Sequence, residues 1–322
     1  MRRCRVALVG AGNVARRHAR VLAGFDDVDL IGVTDVLPAA ARSLAHDYDT
    51  QVFPDYVALL DAEPDAVYVC VPPFAHGPIE EAIIEAGRAM FVEKPLAADL
   101  ATAERIGARV ARRRTLTAVG HHWRYLPVVA QAQKLLAGKT LRLANGAWLD
   151  RVPPVAWWVR RDRSGGPVVE QTVHVLDLLR VLVGEVREVS AVADGTPPAV
   201  DQADIDAVTA ATLRFTSGAV GTLAAACVLG WRHRAGLDIY ADGLAVGISE
   251  DALVVRDSTG EHTVPGNPED GRIAVDRAFV NAVRGIDDDI RAPYEEALRT
   301  HRLAWAVARS AAEHRPVVVS GD

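Results

Sequence analysis

The sequence of 322 residues predicts an α/β protein: an N-terminal parallel sheet covered by helices, then an α+β domain with an open, mostly antiparallel sheet. Up to Gly120, short apolar runs alternate with longer amphipathic ones, the rhythm of β-α-β units. Beyond Gly120 the runs alternate apolar with polar residues and are joined by turn residues such as Asp242-Gly243 and Ser258-Thr259-Gly260. The first apolar run, Val6 to Val9, also breaks into glycines just where a parallel sheet hands over to a helix.

That opening stretch reads Gly10-Ala11-Gly12-Asn13-Val14-Ala15, the G-x-G-x-x-A form of the dinucleotide turn. Gly10 allows a tight exit from the strand, and Gly12 lets the backbone approach a pyrophosphate. Small Ala15 lets the helix lie close to the sheet. The N–H groups of the new helix, at Asn13 and Val14, face the diphosphate with favourable dipole sign. Asp35 ends a second apolar run 20 residues after Ala15, the spacing of a carboxylate that holds the adenosine ribose. No arginine follows it in Val36-Leu37, so NAD is expected over NADP.

The next elements follow in order. Pro38 opens a helix to about Tyr48. Ala66 to Val71 is a β-branched strand stopped by Pro72-Pro73. His76 to Gly87 is a helix ending at glycine. Met90-Phe91-Val92 is a strand followed at once by Glu93-Lys94-Pro95. Asp99 caps a helix to about Arg113, and Thr117 to Gly120 is the last strand of this half. The boundary is expected at 122, giving a nucleotide domain over 1–122 and an α+β domain over 123–322. In the second half, helices are expected over Val128 to Ala137, Val168 to Val183 and Pro293 to His314. A hairpin joins Ala207–Phe215 to Ala219–Val228. Leu223 to Leu229 is apolar at consecutive positions, which favours a subunit interface on this sheet, in a homodimer or homotetramer.

Composition narrows the classes. A formal charge of −6 argues against a general nucleic-acid or membrane-surface binder. Cys4, Cys70 and Cys227 are far apart and match no metal spacing, so no metal is expected and the thiols suit a reducing compartment. The run from Val6 to the glycine turn is too short for the apolar core of a signal peptide, and no stretch approaches ~20 apolar residues. A cytoplasmic protein is expected.

Two places carry chemistry. Lys94 is one of three lysines against 33 arginines, and it directly follows a strand, where open α/β sheets bind ligands. Glu170, His174 and Asp177 fall within about 60° of arc on a helix that is otherwise apolar nearly all round. Burying them is costly unless they bond one another or face a polar cleft, where a histidine can take a proton near neutral pH. Trp157-Trp158 and Trp231 are candidates to stack on a sugar ring, though core tryptophans are commoner.

Together, GAGNVARRH, the Cys70–His76 segment CVPPFAH, Glu93-Lys94-Pro95, and Ser164-Gly165-Gly166 followed by Glu170, His174 and Asp177 resemble the Gfo/Idh/MocA oxidoreductases. The resemblance implies an N-terminal Rossmann domain for NAD or NADP and a C-terminal open-sheet domain for substrate and subunit contacts. It puts nicotinamide-side contacts at Pro72, Pro73, His76, Glu93 and Lys94, the active-site histidine at His174, and substrate contacts at Glu170, Asp177, Trp123 and Arg124. The sequence departs from the commonest family pattern in having Glu170 for Asp and Thr172 for Gly. The expected reaction is hydride transfer between nicotinamide and a hydroxyl-bearing carbon of a sugar, inositol or related polyol. His174 would act as base, with Lys94 stabilising alkoxide character on the same oxygen. Glu170 and Asp177 would orient His174 or hold neighbouring hydroxyls. Two alternatives stand beside it: a glycosidase-like enzyme cycling a tightly bound NAD, and a non-catalytic sensor of NAD and ligand.

Overall fold

The computed structural model describes residues 2–319. The chain forms two compact units, one of Met1–Ala97, Ala101–Gly120 and Arg272–Leu298, the other of Ala98–Leu100, His121–Gly271 and Arg299–Asp322.

In the first unit, β1 (Cys4–Val9), β2 (Val28–Thr34), β3 (Gln51–Val52), β4 (Ala66–Val69), β5 (Ala89–Val92) and β6 (Thr117–Val119) form one sheet in the order β3-β2-β1-β4-β5-β6. Every pairing is parallel. The crossovers carry α1 (Asn13–Ala23), α2 (Pro38–Asp47), α3 (Tyr56–Asp61), α4 (Pro78–Glu85) and α5 (Leu100–Arg113). Strand order reverses between β1 and β4, the switch point where such sheets open a ligand crevice at their carboxyl edge. Leu8, Tyr68 and Phe91 are fully buried neighbours across the three central strands, as a sheet covered on both faces requires.

The second unit begins with α6 (Pro127–Leu136) and β7 (Leu141–Leu149). Three helices follow, α7 (Arg161–Ser164), α8 (Pro167–Glu170) and α9 (Val173–Leu182). Then come β8 (Val186–Ala193), β9 (Val208–Phe215), β10 (Val220–Ala226), β11 (Arg234–Ala241), β12 (Leu244–Ile248), β13 (Ala252–Asp257) and β14 (Gly260–Pro265). With β15 (Val317–Val318) they make a nine-stranded sheet, β14-β13-β12-β11-β7-β10-β9-β8-β15. Among the described residues, only β7 and β10 pair in parallel in this sheet. Helix α9 lies close over β7 because Gly146 has no side chain: a Cβ there would fall 2.7 Å from Val175 Cγ1. Val189, Leu213 and Leu223 join α9 in one core on this side of the sheet. The other side is open and exposes Val192 and Val220.

The structure corrects four sequence expectations. The helix expected over Val168 to Val183 is two helices, split at Gln171-Thr172, where Thr172 Oγ1 bonds back to the Pro167 carbonyl at 3.2 Å. β10 stops at Ala226 and buries alternate residues, so Cys227 leaves it for a small cluster with Trp158 and Ile205. A helix α10 (Pro268–Val283), too polar to stand out, precedes α11 (Tyr294–Glu313). Finally, residues 272–298, assigned from sequence to the second domain, belong to the first unit. Phe279 sets its ring edge-on to Tyr68 and Phe91 at 5.5 and 5.6 Å, and the Tyr294 hydroxyl donates to the Ala103 carbonyl at 3.2 Å.

Candidate active site

Gly10 adopts φ +102°, a conformation side-chain-bearing residues avoid, and a Cβ there would sit 2.2 Å from the Cys70 carbonyl oxygen. Gly12 caps α1, and a Cβ on it would meet nothing within 4 Å. The space over the first-turn N–H groups, including those of Asn13 and Val14, is therefore open, as a diphosphate needs. Asp35 is fixed across the turn: one carboxylate oxygen accepts from Ala11 N and the other from Leu37 N, both at 2.7 Å. Beside it, Val36 is 96% exposed and Leu37 65%, so an apolar rim adjoins the carboxylate. These residues fit a dinucleotide with free ribose hydroxyls.

The loops after β4 and β5 leave the same edge of the sheet. Pro72 and Pro73 lead into a single 3₁₀ turn, and His76 follows. Its imidazole is almost wholly enclosed, with Nδ1 2.5 Å from Glu80, whose other oxygen accepts from Gly77 N at 2.6 Å. His76 thus fastens the loop that carries the two prolines. Past β5, Glu93 accepts from Arg17 at 2.9 Å and from the Lys94 backbone N–H at 3.1 Å, and meets His18 Nε2 at 2.9 Å. His18 Nδ1 contacts both oxygens of Asp276 at 2.8 and 2.9 Å. Burial would push His18 towards neutrality, but Asp276 and Glu93 outweigh it and raise its pKa to about 9. Burial likewise opposes charge on Glu93, yet His18, Arg17 and Lys94 bring its pKa down to about 2.

In the second unit, His174 stands in an aromatic nest. Its ring stacks on Trp123 and Trp148 at centroid distances of 5.6 and 5.9 Å, while His122 and His121 approach edge-on at 5.3 and 6.1 Å. His122 is fixed by Glu250 at 2.9 Å, and Glu250 also accepts from Arg232, whose guanidinium lies over Trp148. Asp177 is only 1% exposed and is committed elsewhere. It takes a bidentate bond from Arg124 at 2.7 and 2.8 Å and a third from the Thr300 hydroxyl at 2.8 Å. Burial raises its pKa, but His121, Arg124 and Thr300 together lower it to about 2. Glu170 accepts from Trp158 Nε1 at 2.6 Å, so Trp158, buried with Ile205 and Cys227, supports Glu170 rather than offering a stacking platform; Trp231 is exposed.

The structure thus brings Trp123, His121 and His122 to His174, and Arg124 to Asp177. Sequence reasoning missed the partners Glu80, His18, Asp276, Glu250 and Thr300. One signal was present for His18: it lies on the same face of α1 as Ala15, Ala19 and Leu22, where a histidine must find partners.

A model described as "Oxidoreductase family, NAD-binding Rossmann fold" matches residues 4–121, and one for the GFO/IDH/MocA C-terminal domain matches 130–243. An inositol 2-dehydrogenase of Rhizobium meliloti is 32% identical over 188 residues, 56% of this chain and 55% of that one. The chain thus spans little more than half of that relative's length. An inositol 2-dehydrogenase of Acidothermus cellulolyticus is 30% identical over 273 residues, 82% of this chain and 78% of the other. Among solved structures, a levoglucosan dehydrogenase in complex with NADH shares the fold at TM-score 0.90, with 21% identity over 100% of both chains.

Proposed function

The chain belongs to the Gfo/Idh/MocA oxidoreductase family, and on that premise we propose that it is an NAD-dependent dehydrogenase acting on a hydroxyl-bearing carbon of a sugar, inositol or related cyclic polyol. One observation carries the reading. The glycine turn with its fixed Asp35 and the Lys94 turn leave the same edge of one parallel sheet, separated only by β4. Two inositol 2-dehydrogenases among the relatives support the substrate class.

In this reading Asp35 accepts the ribose hydroxyls and its charge disfavours a 2′-phosphate. A bound nicotinamide supplies the two-electron acceptor for the hydrogen leaving the carbinol carbon. The protein's residues do the rest. His174 takes the hydroxyl proton, and the Lys94 ammonium holds the same oxygen as it gains negative charge. Trp123 and Trp148 fix the imidazole plane, so that His174 reaches the transition state without reorganising. Asp177 acts through Arg124, keeping that side chain in place, rather than on the substrate. Glu170 and the Arg124 surface line the substrate pocket.

We further propose a homodimer or homotetramer joined through the open face of the nine-stranded sheet, where Val192 and Val220 are exposed. The chain is proposed to work in the cytoplasm, with which its three free cysteines agree. No helix among the described residues is long and apolar enough to cross a membrane.

The test is a spectrophotometric screen of the full chain with NAD and a panel of inositols, aldoses, uronates and amino sugars. Reduced cofactor should accumulate with at least one class. His174→Ala should lower kcat by about 10²-fold or more with NADH affinity preserved. If Lys94 serves the same oxygen, Lys94→Met combined with His174→Ala should cost far less than the product of the single losses. Turnover unchanged by His174→Ala, or cofactor that cycles without net reduction, would overturn the reading.

A further inference from the structure

We propose that His18, gripped between Asp276 and Glu93, is the positioning residue for Lys94, locking the Lys94 turn to the helix that faces the cofactor diphosphate. The inference rests on the dehydrogenase reading for what Lys94 does; the grip itself is geometric.

Lys94 lies just past β5 and before Pro95, so the sheet ladder ends before it. Its backbone N–H is anchored to the Glu93 carboxylate at 3.1 Å, and the orientation of the turn therefore depends on what orients Glu93. Three things do. Arg17 and His18, consecutive on α1, both reach Glu93 Oε1 at 2.9 Å. Gly120, at the end of β6, lies so close that a Cβ would fall 2.6 Å from the carboxylate, which leaves Glu93 no room to swing that way.

His18 is the firmer of the two anchors. Arg17 is partly solvated, with a long chain, whereas the His18 side chain is 2% exposed and wedged against the rings of Tyr68 and Phe91 at 5.2 and 5.0 Å. Each imidazole nitrogen meets a carboxylate, Nδ1 on Asp276 and Nε2 on Glu93. A neutral imidazole donates through one nitrogen only, so both contacts are satisfied together only by the imidazolium. Asp276, His18, Glu93 and Arg17 then carry two negative and two positive charges, which is what allows carboxylates to be buried here. The other titratable groups around this cluster are Tyr68, Cys70 and the Lys94 side chain; burial holds the Cys70 thiol and Tyr68 hydroxyl well above their ordinary pKa values, so both stay neutral. A cluster that merely pinned α10 to the sheet would need the Asp276 contact alone. The second contact, on the residue preceding Lys94, extends its reach to the turn.

The chain offers an unusual readout, because Lys94 has only Lys134 and Lys139 as lysine companions. Acylation of the folded, full-length protein by acetic anhydride across pH 7–10.5 (roughly the window from neutral to the ordinary lysine pKa), followed by peptide mass spectrometry, gives the Lys94 rate relative to those internal controls. In the natural protein this ratio should step near pH 9, where His18 loses its proton. His18→Gln should remove the step and change the ratio at neutral pH about threefold or more. It should also lower kcat while leaving NADH affinity, read by fluorescence, within about threefold, a change small beside the tenfold of one ordinary binding contact. If His18→Gln fails to fold, Asp276→Asn keeps the imidazole on Glu93 and should move the step to lower pH. A Lys94 ratio that shows no step, or one that neither variant alters, overturns the proposal. Acylation needs no substrate, so a protein that oxidises nothing on the panel would sink the dehydrogenase reading while the labelling result stood by itself.

Discussion

The sequence pattern offers Asp177 as a substrate ligand; its surroundings make it an organiser, and the two roles predict opposite outcomes. Asp177 is 1% exposed, holds Arg124 through two bonds and receives a third from Thr300. Its pKa is brought from 3.8 to about 2 against the cost of burial. At ~1.4 kcal/mol per unit, that depression corresponds to about 2–3 kcal/mol of folding free energy. The sign follows from the depressed value: the stabilisation is complete above the ordinary pKa and drains away as pH falls from about 5 to about 2. Asp177→Asn keeps one acceptor oxygen but takes the charge of Asp177 away from the Arg124 guanidinium, which is 8% exposed. Removing one partner of a buried pair costs about 3–5 kcal/mol, and the retained acceptor lowers that to about 2–4 kcal/mol.

The assay is thermal unfolding of both proteins from neutral pH down to acid. Each kcal/mol is about 2–4 °C for a domain of this size, so the variant should melt about 5–15 °C lower at neutral pH. The gap should narrow as the medium is acidified, because the natural protein then loses the same charge. A variant that melts within ~2 °C of the natural protein at neutral pH would refute the reasoning, and a raised KM beside an intact Tm would return Asp177 to the substrate.

Other outcomes follow from the same structure. Gly10→Ala meets both a φ of +102° and a 2.2 Å approach to Cys70 O, and should cost about 2–4 kcal/mol in denaturant unfolding. Gly12→Ala places its Cβ in open space, so stability should hold while calorimetry finds NAD binding weakened. Asp35→Ser should raise the Kd for NAD about tenfold and narrow the preference over NADP, because the carboxylate held by Ala11 and Leu37 is gone. His18 predicts an alkaline loss of stability. Its raised pKa contributes fully below 6.5 and the contribution disappears as pH climbs through about 9, worth about 3 kcal/mol, whereas His18→Gln should show no such slope.

What could be read from the sequence was what the backbone arranges locally. The Gly10 turn and Asp35 are joined by a bond from Ala11, across a single β-α-β unit, and both are legible as spacing. The alternation of β9 and β10 and the turns at Gly243 and Gly260 fixed the hairpins in the same way. Long-range partners left no such trace. His18 and Asp276 are 258 residues apart, Asp177 and Thr300 are 123 apart, and His122 and Glu250 are 128 apart. Helical periodicity placed Asp177 on the His174 face but said nothing of Arg124, because that contact comes from a different element. The helix break at Thr172 was equally hidden, since a threonine that bonds back to Pro167 reads from sequence as any other helix interior residue.

The chemistry residues in the two units are supported in one manner. Next to Lys94, Glu93 is neutralised by Arg17 and His18. Three residues after His174, Asp177 is neutralised by Arg124, and beside the imidazole His122 is tied to Glu250. Glu93 and Asp177, which the sequence offers as site residues, are each spent on fixing a neighbour, and the proposed reaction leaves the base and the ammonium to act. A carboxylate with both oxygens bonded and a pKa near 2 is a poor proton acceptor at neutral pH. In the proposed reaction the working proton therefore goes to the His174 imidazole, and the acids contribute by making its surroundings rigid before any substrate arrives. Mutating those acids should accordingly be felt in folding and in kcat together, whereas His174→Ala, beyond the stability lost with its ring packing, should be felt chiefly in kcat.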